Sequence, residues 1–151
     1  QRKIWCFIMN YLKVLVEEIH SVVVATVDEK GHPHTAVMDM MWEDGKTVYF
    51  LTADFKSLYK RLKEDGRVAV TGMTQGAGTM DRKSISLTGQ VEWIGKEHLE
   101  ELLKANPYMY EIYPTEEGRS HLQVFRFKNA VGNFYDLTQL PPYQARFEIE
   151  G

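Results

Sequence analysis

The chain has a single cysteine, Cys6, among 151 residues. One thiol excludes an intramolecular disulfide and any zinc site built from four cysteines, and it points to a reducing, cytoplasmic setting. Cys6 falls on an apolar helical stripe and is expected to pack as a small hydrophobe. An excess of positive charge is also missing: 18 Lys+Arg stand against 21 Asp+Glu, for a formal net charge of −3. That excludes a nucleic-acid binder working through a bulk positive field. No apolar run reaches the ~18–20 residues that a bilayer span needs. Ile4 to Ile19 is quite apolar, but Lys13, Glu17 and Glu18 interrupt it and no small-residue cleavage pattern follows. Neither a signal peptide nor a membrane partner is predicted. A Gly-rich dinucleotide fingerprint, a P-loop, a Gly-x-Ser-x-Gly elbow and an HExxH pair are all absent. Carboxylates are scattered, which leaves paired acid–base catalysis without a seat. An enzyme so short of side-chain chemistry often borrows a cofactor that brings its own.

The composition that is present, 44% hydrophobic and 26% charged, is that of a globular chain, and its length is that of one domain spanning residues 1–151. Ile4, Ile8, Tyr11, Leu12, Leu15 and Ile19 trace one face of an amphipathic helix. Val22–Val27 is β-branched and almost wholly apolar, which predicts a strand buried on both faces. A turn at Gly31 leads to an alternating strand, His34 to Trp42, and Asp44-Gly45 predicts a hairpin into a strand over Thr47–Thr52. Asp54 is the expected N-cap of a helix carrying Phe55, Leu58, Tyr59 and Leu62, with Gly66 as its positive-φ stop. Strands are expected at Arg67–Thr74 and Ser84–Trp93, the latter with Ile85, Leu87, Val91 and Trp93 facing in. A helix over Glu97–Ala105, a helical turn near Tyr108–Tyr113, strands at Leu122–Lys128 and Ala130–Leu137, and a tail at Ala145–Ile149 complete the chain. Six or seven strands joined by hairpins predict a mainly β fold, an antiparallel barrel with peripheral helices.

Chemistry concentrates where the Thr47–Thr52 strand gives way to a helix. Thr52, Lys56 and Ser57 stand beside free backbone N–H groups and the positive end of a helix dipole. Spacing alone leaves two readings open, a phosphate cradle or a capped surface helix with solvated lysines. His34 begins the strand paired with this segment. His32-Pro33-His34 has no third ligand nearby, so no metal is expected.

Read together, Val22–Val27, the turn with Gly31 and Pro33, His34-Thr35-Ala36-Val37-Met38, the Asp-Gly hairpin, Val48-Tyr49-Phe50-Leu51-Thr52, Lys56, Leu62, Arg67-Val68-Ala69-Val70 and Leu87-Thr88-Gly89-Gln90-Val91 resemble the FMN-binding split-barrel superfamily. This is the pyridoxamine 5'-phosphate oxidase-like class. The Tyr-Phe-x-Thr-x-x-x-Lys segment is most similar to its small nitroimidazole-resistance-type branch. The resemblance implies a six-stranded antiparallel Greek-key split barrel, a homodimer with FMN at the interface, and an oxidoreductase that passes electrons from a reductant to a small-molecule acceptor. The other reading is a flavin- or haem-binding module without turnover. The resemblance places His34, Thr35, Val37, Met38 and Asp39 beside the isoalloxazine ring and ribityl chain. Leu51 and Thr52 would stand near the ring and phosphate, Lys56 and Ser57 on the phosphate, and Ser84 would approach from the later strand. Tyr49, Trp93 and Tyr135 are the candidates to cover the acceptor side. The oxidase itself usually carries Arg at the place of His34 and Lys at that of Asp39, so pyridoxamine phosphate does not follow as the substrate.

Overall fold

The computed structural model describes residue 8 and residues 10–150; Ile4 and Cys6, expected on the first helix, lie outside these. Helix α1 is α-helical through residues 10–13 and π-helical over Val14–Ile19. The wider turn keeps Leu15 and Ile19 buried, and His20, at φ 62°, redirects the chain at once into a strand. No helix among the described residues is long and apolar enough to cross a membrane.

Eight strands follow: β1 (Ser21–Val27), β2 (Pro33–Asp39), β3 (Trp42–Glu43), β4 (Val48–Ala53), β5 (Arg67–Met73), β6 (Lys83–Gly95), β7 (Leu122–Asp136) and β8 (Tyr143–Glu150). They form one antiparallel sheet in the order β2-β1-β5-β6-β7-β4-β3, with β8 added along β7. The sheet curls into a split barrel around Val24, Phe50, Ile85, Leu87, Phe125 and Phe127, all buried. β2 approaches β4 without pairing to it, which leaves the barrel open on that side. Gly31 and Gly45 take positive φ at the two predicted turns.

Several expectations change in three dimensions. The two late strands are one, because a bulge beside Lys128 lets β7 run on to Asp136. The tail is strand β8, held along β7 from Asn129 to Asp136. Trp93 keeps the inward alternation and lies opposite buried Phe125, but it stands at the rim of the core and is 43% exposed. β1 is buried on one face only, with Val22, Val24 and Thr26 inside and Val23 41% exposed. Gly66 is no positive-φ stop; a β-carbon there would strike the Val91 carbonyl oxygen.

Helix α2 (Ser57–Glu64) closes one end of the barrel, with Leu58 and Leu62 entering the main core. Helices α3 (Leu99–Ala105), α4 (Met109–Ile112) and α5 (Glu116–Arg119) lie between β6 and β7. Leu102, Leu103 and Met109 cover a second core with Met41, Tyr49 and Leu51. β4 is therefore buried on both sides, Val48 and Phe50 in one core and Tyr49, Leu51 and Ala53 in the other.

Candidate functional site

The turn Asp54-Phe55-Lys56 joins β4 to α2. Asp54 is not the cap that its residue type suggested. Its carboxylate is recruited by His121 Nδ1 at 2.9 Å and by Gln123 Nε2 at 3.3 Å. The capping position falls to Lys56, in extended conformation, and no side chain caps the helix. No acidic residue stands in the first turn of α2 either. Its leading N–H groups and the positive end of its dipole are thus unneutralised. Lys56 and Ser57 are exposed there. Thr52, on β4 just before the turn, is 3% exposed, and its Oγ1 is buried without a hydrogen-bond partner among the described residues. A buried hydroxyl short of a partner is uncommon in a settled fold. A free helix terminus, a lysine and hydroxyls are the donors that an anionic group takes, so the residues present fit a phosphate tail.

The remaining sequence candidates do not converge on this turn. His34 Nε2 lies 2.9 Å from Asp28 Oδ2, while Asp28 Oδ1 accepts the backbone N–H groups of Lys30 and His32. The His34 hydrogen bond first, and the His32 backbone second, hold the Asp28 carboxyl down to about 2 from an ordinary 3.8. A depressed carboxyl stabilises the fold above its ordinary value and loses that contribution as pH falls through its folded value. Carboxyl-carbon NMR is expected to show Asp28 titrating near 2, with His34→Ala returning the midpoint toward 3.8. A midpoint unchanged in that variant would remove His34 as the cause. Beside this pair opens a cleft of about 330 Å³, lined by Asp28, Glu29, Glu64 and Asp65 with Arg61 and Arg67.

Asp39 stands at the far end of β2. It accepts Ser21 Oγ at 2.6 Å and the Tyr108 hydroxyl at 2.7 Å, and His20 Nε2 meets the same hydroxyl at 2.7 Å. Burial, then the Asp39 carboxylate, pushes the Tyr108 hydroxyl well above its ordinary range. Val37 and Met38 point to opposite faces of β2: Val37 is 72% exposed, as Thr35 is exposed, whereas Met38 packs on the main core. Leu51 is enclosed in the second core. Ser84 pairs with Met73 and Tyr135, and stands nine strand positions from Trp93, about 30 Å at roughly 3.3 Å per residue. Among the aromatic candidates, Tyr49 is 1% exposed, and burial with the Asp44 contact raises its hydroxyl to about 12. It has no open face. Trp93 is exposed and Tyr135 half-buried.

The structure thus gathers Thr52, Lys56 and Ser57, and adds His121, Gln123 and Trp93. Residues 67 apart in sequence meet in the Asp54–His121 contact, so no local pattern announces them.

The family model described as pyridoxamine 5'-phosphate oxidase matches residues 10–135. No curated protein matches the sequence. Among solved structures, a NimC/NimA family protein from Clostridium acetobutylicum superposes with a TM-score of 0.77 at 20% identity, over 97% of this chain and 95% of its own. A protein related to general stress protein 26 of B. subtilis (pyridoxinephosphate oxidase family), also from C. acetobutylicum, gives 0.66 at 21% identity, over 96% of each chain. A heme binding protein from Mycobacterium smegmatis gives 0.68 at 13% identity, over 91% of this chain and 57% of its own. At these identities the likeness is one of fold.

Proposed function

Since the chain belongs to the pyridoxamine 5'-phosphate oxidase family, we propose that it is an FMN-binding homodimer that passes electrons from a reductant to a small acceptor. The observation that carries this reading is the orphaned Thr52 hydroxyl beside an uncapped α2. FMN, when bound, supplies hydride and electron transfer through its ring system. The chain's own part is to hold and orient it. Lys56 offers the phosphate a charge, Ser57 a hydroxyl, and the first turn of α2 its backbone N–H groups. Thr35 and Val37 are the β2 candidates on the open face. His34 and Asp39, engaged with Asp28 and Tyr108, fix the two ends of that strand.

A second copy is called for by the outer surface of the sheet. Val37, Val23, Thr71 and Ser86 stand in register across β2, β1, β5 and β6, and Thr35, Ala25, Ala69 and Thr88 form the next row. These side chains are short and uncharged, and Val23, Val37 and Met73 are exposed. A run of valines typical of a strand buried on both faces, yet bare on one, fits a face covered by its own copy. That copy is also the source from which Ser84 would join the site.

Titration of the purified chain with FMN is expected to quench flavin fluorescence. NAD(P)H should then bleach the bound flavin, and oxygen or a nitroaromatic should restore its colour. Binding without bleaching assigns a flavin module instead. Uptake of haemin with a Soret band, and none of FMN, assigns a haem module of the kind of the M. smegmatis heme binding protein. Lys56→Ala is expected to weaken FMN binding by about 1–3 kcal/mol, the scale of a lost charge-assisted hydrogen bond. An unchanged dissociation constant would take Lys56 out of the site.

A further inference from the structure

Beside the opening of α2, a line of hydrogen bonds has only one way to point. Trp93 carries one indole N–H, and it donates to Gln123 Oε1 at 2.9 Å. That fixes the amide, so the Gln123 nitrogen is the end that donates to Asp54 Oδ2. Asp54 Oδ1 lies 2.9 Å from His121 Nδ1, and a carboxylate only accepts, so Nδ1 carries hydrogen. The His121 hydrogen bond, foremost among the lowering contacts, keeps the Asp54 carboxyl below its ordinary range. Among the described residues, nothing hydrogen-bonds Nε2.

Neither core needs this arrangement. The His121 side chain is 46% exposed and lies outside both buried clusters. Its ring stands edge-on to Phe55, 5.6 Å away between centroids, and Phe55 is itself 67% exposed in the turn that leads into Lys56 and Ser57. Four segments surround the imidazole. The β4–α2 turn supplies Asp54 and Phe55. The turn after β6 supplies Lys96, whose Nζ donates to the Ser120 and Leu122 carbonyls on either side of His121. β7 supplies neutral Gln123. The segment α5, whose Gly118 carbonyl accepts the His121 backbone N–H, carries Glu116, Glu117 and Arg119. The Asp54 carboxylate is already committed to Nδ1, and Lys96, Lys56 and the α2 terminus add positive potential.

Resting on the flavin reading, we propose that His121, oriented by Asp54, is a contact for the mononucleotide's phosphate and takes up a proton as that dianion binds. The imidazole gains the proton from solvent at Nε2 and donates it as a hydrogen bond to a phosphate oxygen, while Nδ1–H stays on Asp54. The pair therefore discriminates the phosphorylated flavin from the free one.

Calorimetric titration of the full chain with FMN and with riboflavin, at pH 8 and in two buffers of different ionisation enthalpy, reads both affinity and protons. FMN is expected to take up protons on binding and riboflavin none. His121→Gln is expected to lower FMN affinity roughly tenfold, leave riboflavin unchanged and abolish the proton uptake. His121→Lys, permanently charged, should restore most of the FMN preference without the uptake. Equal proton uptake in His121→Gln and the unaltered chain, or an unchanged FMN-to-riboflavin ratio, would overturn the inference while leaving the flavin reading intact. Absence of binding heat from either flavin with the unaltered chain would overturn both.

Discussion

Phe125→Ala is expected to lower the stability of the domain by about 3–5 kcal/mol, the range for emptying a buried aromatic position. Phe125 sits on β7 with no exposed surface. Its ring stacks on Phe50 at 5.8 Å between centroids and meets the edge of Tyr59 at 6.0 Å. Those neighbours hang from β4 and α2, the two elements that frame the Asp54-Phe55-Lys56 turn. The surrounding strands are hydrogen-bonded on both sides and cannot close over the gap, so the lost contacts are not regained. Domains of this size are stable by about 5–15 kcal/mol, so the change removes a large share of the total. Urea unfolding followed by far-UV circular dichroism measures it. Val131→Ala, on the exposed side of the same strand, should stay within about 0.5 kcal/mol. A Phe125→Ala loss no larger than that control would mean that the barrel interior repacks freely.

The second large effect is on assembly. Val37→Asp should leave the single chain folded, because Val37 is 72% exposed in it. In a two-fold dimer built on the outer sheet face, the substitution sets a carboxylate from each copy into an apolar contact with no partner. An uncompensated buried charge costs about 3–5 kcal/mol. At roughly 1.4 kcal/mol per tenfold, the dimer's dissociation constant should rise about a hundredfold or more. Light scattering at micromolar concentration should pass from a dimer to a 17.5 kDa species. On the proposed reading FMN binding should fall with it, since one chain would offer only the α2 end of the site. An unaltered chain that already runs as a monomer, or a Val37→Asp chain that stays dimeric, would remove this face as the interface.

The parts of the fold that the sequence announces are those made by neighbours in the chain. The Asp44-Gly45 hairpin, the stripe of α2 and the alternation of β6 are set by residues a few positions apart. What stays hidden depends on partners far away. Asn129 looks like a break because the chain does not reveal that β7 bulges at Lys128 and stays paired to β6. Ala145–Ile149 looks like a tail because its polar outer side chains carry no sign of the β7 edge awaiting them. Gly66 is small on account of the Val91 carbonyl, not of its own φ. The candidate site divides in the same manner. Thr52, Lys56 and Ser57 lie within one local turn, so their proximity is legible in the sequence. Asp54 reads as a helix cap, but His121, just before a distant strand, claims it instead.

β7 enters every part of this molecule. It is the stave to which β4, β6 and β8 are all fastened. It sends Phe125, Phe127 and Phe134 into one interior and Leu122 and Val124 into the other. The barrel and its helical annex therefore have no seam between them. Neither half can come apart while the other stays shut, and a lesion under the helices is felt at the far rim of the barrel.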